Sequence, residues 1–129
     1  MPGLDLPEDL GAQPEAQTSQ LDNASYFRNV GAIDIGTNST HLLIASVDPI
    51  LKTFTIKLAE KSTTRLGEHE PGSENLSEES IGRVLETLKR FKQLSVIYKV
   101  EQLIIAATSA VREATNGSNF VRRIKEELD

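Results

Sequence analysis

Residues 32–46, Ala-Ile-Asp-Ile-Gly-Thr-Asn-Ser-Thr-His-Leu-Leu-Ile-Ala-Ser, form an apolar run that breaks at its centre for Asp34, Gly36, Thr37, Asn38 and Ser39. These residue types at this spacing suit the gripping of a phosphate. A glycine lets the backbone approach an anion closely, and successive N–H groups from Gly36 to Ser39 would converge on it. Thr37 and Ser39 add hydroxyl donors. Asp34 is expected at the inner end of a buried strand, where an unpaired carboxylate is costly. A hydrated Mg²⁺ would remove that cost, because Mg²⁺ commonly binds through one or two carboxylates plus substrate phosphates. A plainer reading stays open: a hairpin tip in which Gly36 takes a positive φ and Asp34, Asn38 and Ser39 do turn chemistry. The stretch is neither a P-loop nor a dinucleotide fingerprint, since the lysine of the first and the second glycine of the other are missing.

A second constellation is Thr-Ser-Ala-Val-Arg-Glu-Ala at 108–114. Thr108 or Ser109 can cap a helix there. Arg112 would fall in the first turn, where a cation opposes the helix dipole. An arginine beside exposed N–H groups suits a phosphate, which a guanidinium grips with two parallel bonds. An ion pair with Glu113 or another acid is the plainer alternative. Arg65, in Arg-Leu-Gly-Glu at 65–68, is a loop cation or a substrate contact.

Three short strands should position the first constellation: 30–35, then 42–47, then an alternating run through Phe54, Ile56 and Leu58 with one wet face. Short links favour an antiparallel meander. A Gly-, Pro- and charge-rich loop follows at 65–76. Ser77 then caps a long helix with Glu78 and Glu79 in its first turn and Lys89, Arg90 and Lys92 late. Its apolar stripe is Ile81, Val84, Leu85, Leu88, Phe91 and Leu94. The run Leu103 to Ala107 reads as a buried strand parallel to an earlier one. A short helix, a turn at Asn116-Gly117 and a last helix faced by Phe120, Val121, Ile124 and Leu128 complete the order.

The balance of charge narrows the partners. The 129 residues carry 14 Lys+Arg and 19 Asp+Glu, a formal net charge of −5. Residues 1–27 hold five acids and no basic side chain, so the body is neutral. That disfavours a duplex-binding face. With no cysteine and two histidines, disulfides and Cys-based zinc sites are excluded. No signal peptide or membrane span is legible, so a cytoplasmic protein is expected. Residues 1–25 read as a disordered acidic tail.

Ala-Ile-Asp-Ile-Gly-Thr-Asn-Ser, Arg-Leu-Gly-Glu, Leu-Ser-x-Glu-x-Ile at 76–81 and Ala-Thr-Ser-Ala-Val-Arg-Glu-Ala-Thr-Asn-Gly at 107–117 together resemble the exopolyphosphatase / guanosine pentaphosphate phosphohydrolase family. The resemblance implies an α/β fold of the actin, Hsp70 and sugar-kinase type. Residues 26–129 would be the N-terminal part of its first, ribonuclease H-like domain: three antiparallel strands, a helix, a parallel strand and a helix. It implies release of terminal phosphate from inorganic polyphosphate or guanosine pentaphosphate, with Mg²⁺. Gly36, Thr37, Asn38 and Ser39 match the first phosphate loop, Asp34 its metal-associated carboxylate and Arg112 an active-site arginine. Arg65 lies in a motif bordering the substrate channel.

The family's catalytic Glu-Glu-Ala segment and second glycine-rich loop are not in this sequence. The chain is therefore expected to be an N-terminal piece of a longer enzyme, inactive or nearly so alone. An ATP-dependent kinase or ATPase of the same superfold, and a non-catalytic guanosine pentaphosphate-sensing module, are the rival readings. Self-association into a homo-oligomer, with exchange of the C-terminal helix as one route, is expected from an open sheet edge.

Overall fold

The computed structural model describes residues 26–69 and 72–128. The acidic tail expected at 1–25 lies outside the described residues. Strand β1 (Arg28–Ile35) leads by a tight turn into β2 (Ser39–Asp48), and a second hairpin leads into β3 (Thr53–Thr63). Helix α1 (Glu78–Ile97) crosses back to β4 (Gln102–Ala107), and α2 (Ser109–Glu113) and α3 (Gly117–Leu128) follow. The sheet order is β3-β2-β1-β4. β1 pairs antiparallel with β2 and parallel with β4, and β2 pairs antiparallel with β3. The expected meander, crossover helix and parallel fourth strand are all present.

Parity along the strands decides which face is covered. Ile33, Ile35, Leu42 and Ile44 point one way and are at most 2% exposed. They pack on the α1 stripe of Ile81, Val84, Leu85, Leu88 and Phe91, with Phe120 and Ile124 of α3 closing the same core. Leu94 and Leu128 are half-buried at its margin, whereas Val121 faces outward, against expectation. Ser77 caps α1, its side chain accepting from the Ser80 N–H at 3.1 Å. That cap contributes about 1 kcal/mol. Five buried stripe residues contribute about 1.5–3 kcal/mol each, so packing rather than the cap holds α1 in place. The helix runs past the basic cluster at 89–92 and has no basic residue in its last turn. It stops where Lys99 enters the left-handed region (φ 54°) and its N–H turns back to Val96 O.

The opposite face carries Ala32, Asp34, His41, Leu43, Ile56 and Ile104, all exposed. No described element covers it. β3 departs from simple alternation. A register shift pairs Ile44 with Leu58 but Ala45 with Ile56, leaving Lys57 as the extra residue of a bulge. Leu58 therefore turns toward the core and Ile56 away from it. β3 also continues to Thr63, well past the apolar residues that mark it in the sequence.

Candidate functional site

β1 and β2 leave only residues 36–38 between them, so the turn is tightly determined. The Gly36 N–H donates to Ser39 O at 2.9 Å. Gly36 does not take a positive φ. It is needed for room, because a Cβ there would lie 2.7 Å from Ser39 O. The expected set of converging amides is thus smaller than four, since that of Gly36 is already engaged. Asn38 O accepts from the N–H groups of Thr64 (3.1 Å) and Arg65 (2.9 Å), and Thr37 O accepts from Gly67 N–H (2.8 Å). The peptides are all trans, so each C=O and the following N–H point in opposite directions. The amides of Asn38 and Ser39 consequently face away from the 64–67 backbone. Among the described residues no turn or loop bond takes either amide.

The second loop is tied to the first throughout. Thr64 is buried and shares a 2.8 Å hydroxyl contact with Thr40. Arg65 is left-handed (φ 50°), an uncommon state for a residue with a side chain. Its guanidinium lies 3.6 Å from Glu68, both side chains being more than half exposed. Gly67 packs directly on the turn, and a Cβ there would run into Thr37 Cγ2.

Asp34 and Arg112 lie where the motifs place them in sequence, but their surroundings differ from expectation. Asp34 is exposed on the uncovered face, because Ile33 and Ile35 take the buried side of β1. Burial therefore does not explain its presence. It stands opposite His41 and beside Ala106 in register, with Lys61 one strand further on. It has no ion-pair partner among the described residues. Arg112 is not in the first turn of a long helix. α2 has five residues, Thr108 caps it by accepting from Ala110 N–H, and Arg112 occupies its last turn. The dipole conflict read from sequence does not arise. The exposed guanidinium folds back and donates to Ala107 O at 3.2 Å. Ala107 is the register partner of Ile35, and Thr108 N–H donates to Ile35 O at 3.0 Å. Arg112 is therefore anchored at the end of the sheet from which the 36–38 turn springs, and it pairs neither with Glu113 nor with any other described acid.

One end of the sheet thus gathers unspent amides, two arginines and one unpaired carboxylate. Such a set can bind a polyanion and orient a phosphoryl group. Among the described residues no group of three His, Cys, Asp or Glu side chains converges as a protein-only metal cage. No described helix is long and apolar enough to cross a membrane. Two supporting residues escaped sequence reasoning. Asn116 clasps Leu76 with both ends of its amide, accepting at 2.8 Å and donating at 3.1 Å, and so ties the second loop to the α2–α3 turn. Arg83 of α1 donates to the same loop.

Comparison with known proteins gives this arrangement a family. Residues 43–129 match the model of the Ppx/GppA phosphatase family. A bifunctional 3-dehydroquinate synthase/phosphatase of Fusobacterium nucleatum is 37% identical over 101 residues, covering 74% of this chain and 15% of that protein. Exopolyphosphatase 1 of Mycobacterium tuberculosis is 27% identical over 104 residues, covering 76% of this chain and 28% of that protein. Among solved structures, the Ppx/GppA family member of Aquifex aeolicus superposes with a TM-score of 0.74 at 33% identity, over 79% of this chain and 33% of that one. An exopolyphosphatase from Cytophaga hutchinsonii gives 0.72 at 35% identity, over 78% and 32%. This chain spans a third or less of the length of each of these relatives. On sequence and fold together, it belongs to the Ppx/GppA phosphatase family.

Proposed function

We propose that residues 26–129 form the phosphate-gripping wall of an exopolyphosphatase-type phosphohydrolase, which releases the terminal phosphate of inorganic polyphosphate. The observation that carries this reading is the orientation of the 36–38 turn. Its Thr37 and Asn38 carbonyl oxygens are taken by the 64–67 loop, which turns the Asn38 and Ser39 amides toward an anion. In this reading Gly36, Thr37, Asn38 and Ser39 cradle the terminal phosphoryl group and Arg65 steadies the chain of phosphates behind it. Arg112 stabilises charge on the phosphoryl oxygens as the anhydride bond breaks. Asp34 is the residue that would hold Mg²⁺. An exposed, unpaired carboxylate beside the turn fits an ion that keeps most of its water and takes one or two carboxylates plus substrate oxygens. Mg²⁺ bound there would neutralise phosphate charge. Guanosine pentaphosphate carries the same terminal group and is the alternative substrate. The activity belongs to the whole protein, cytoplasmic in this reading, and the wall alone is expected to bind without turnover.

Titration of the 129-residue chain with polyphosphate and Mg²⁺, followed by amide NMR, tests the wall. The largest shifts are expected at Asn38 and Ser39, with loss of binding in Arg112→Met. Shifts confined to the 48–52 hairpin, or strong binding of ATP with none of polyphosphate, would sink the proposal. Robust phosphate release by this chain alone would show that the catalytic groups have been misplaced.

A further inference from the structure

We infer that Arg83 is a positioning residue that locks the 64–68 loop in the backbone state presenting Arg65 to the anion. The inference rests on the reading of Arg65 as a substrate contact. Arg83 lies in the second turn of α1, outside all the sequence motifs, with its side chain 30% exposed. Its Nε donates to Thr64 O at 2.8 Å. Its Nη2 donates to Arg65 O at 3.4 Å and to Glu68 Oε1 at 2.8 Å. One planar fork therefore spans two successive carbonyls and a carboxylate, a pattern that a lysine's single ammonium cannot reproduce.

The loop needs such a lock. Arg65 sits at φ 50°, a state costing roughly 1–2 kcal/mol for a residue with a Cβ. Contacts around the residue have to offset that cost. Here the Arg65 N–H is held by Asn38 O and the preceding carbonyl, that of Thr64, by Arg83 Nε, while the Arg65 carbonyl accepts from Glu68 N–H at 3.2 Å as well as from Arg83 at 3.4 Å, so the peptide units on either side of its Cα are both fixed. The charges point the same way. Glu68 faces two cations, Arg83 at 2.8 Å and Arg65 at 3.6 Å. Arg83 holds the shorter contact. When Arg65 swings to a phosphate, Glu68 keeps a partner and no carboxylate is stranded beside the incoming anion.

A purely structural arginine would stabilise the domain without acting through Arg65, and a double-mutant cycle separates the two roles. The intact enzyme is assayed for phosphate release from polyphosphate as wild type, Arg83→Met, Arg83→Lys, Arg65→Met and Arg65→Met/Arg83→Met. Arg83→Met should raise KM about tenfold with kcat little changed, as expected for a lost charge-assisted contact. Arg83→Lys, which keeps the charge and much of the packing, should restore Tm but not KM. In the Arg65→Met background, Arg83→Met should add nothing. An equal KM penalty in both backgrounds, or an unchanged KM, overturns the inference. Amide hydrogen exchange on the 129-residue chain supplies a readout independent of turnover. Exchange at Arg65 and Gly67 should quicken about tenfold in Arg83→Met, and unchanged protection refutes the lock. If wild-type enzyme does not hydrolyse polyphosphate, the functional reading falls, while exchange still decides whether Arg83 fixes the loop.

Discussion

The two ends of the sheet are built on different principles. At the hairpin joining β2 to β3, the chain satisfies itself locally: the Asp48 carboxylate accepts from the N–H groups of Ile50 (2.9 Å) and Leu51 (3.1 Å), and Lys52 adopts φ 55° to close the turn. Ile50 and Leu51 remain exposed, and no bond from another described element reaches the turn. At the opposite end, the 36–38 turn is held mainly by partners more than 25 residues away in sequence, and the 64–68 loop by α1. A self-sufficient turn can vary without consequence elsewhere. A cross-tied pair of loops fixes the direction of its amides and arginines, which an anion site requires, and every tie becomes a point of failure.

Gly67→Ala should expose that contrast most strongly. The new methyl meets Thr37 Cγ2 and lies 3.4 Å from Thr37 O. Overpacking of this kind costs about 1–3 kcal/mol, read as a lower Tm by circular dichroism, and polyphosphate binding should be lost with it. Thr37→Ser deletes only the offending methyl and keeps the hydroxyl. Combined with Gly67→Ala, it should recover most of the stability. A double mutant no better than Gly67→Ala would mean that the loops are not packed as described.

At the other end, Asp48→Ala removes the acceptor for two amides. The expected loss is smaller, about 1–2 kcal/mol, and confined to the hairpin. Polyphosphate affinity measured by calorimetry should stay within about twofold of wild type, a change well under 1 kcal/mol. A large loss of affinity would show that the two ends are coupled through the sheet.

These differences also explain what could be read from sequence. The α1 stripe and the inner faces of β1 and β2 were legible because burial imposes a period on the residues themselves, whereas β4, which reads as a buried strand from its unbroken apolar run, is an edge strand with Ile104 and Ile105 exposed. Asp34 reads in sequence as a buried carboxylate at the inner end of its strand, whereas Ile33 and Ile35 on either side take the inner face and turn it outward. The length of β3 was not legible, because an edge strand with Glu60, Lys61, Ser62 and Thr63 carries no apolar pattern and is defined by its partner's hydrogen bonds. The bulge at Lys57 likewise belongs to the pairing rather than to either strand. Arg112 was misplaced within its helix because a five-residue helix has too few positions to show a period. Arg83 was invisible, since its acceptors are mostly main-chain oxygens, which every residue possesses.

The finest test sets one substitution against itself at the two ends. Lys52 and Arg65 share nearly the same strained φ, 55° and 50°. Glycine at either site relieves a Cβ penalty of roughly 1–2 kcal/mol but adds unfolded-state entropy worth about 0.5–1 kcal/mol. The net change for Lys52→Gly should therefore lie between about zero and about 1.5 kcal/mol of stabilisation, with polyphosphate binding untouched. Arg65→Gly should show a similar small shift in Tm, since the exposed ion pair with Glu68 contributes little. It should nevertheless weaken polyphosphate binding about tenfold, the loss expected for one charge-assisted contact. Equal stability effects with divergent affinities would separate backbone strain from side-chain function. If Arg65→Gly binds polyphosphate as well as Lys52→Gly does, the left-handed residue at the site end closes a turn, as it does at the far end, and Arg65 is a loop cation.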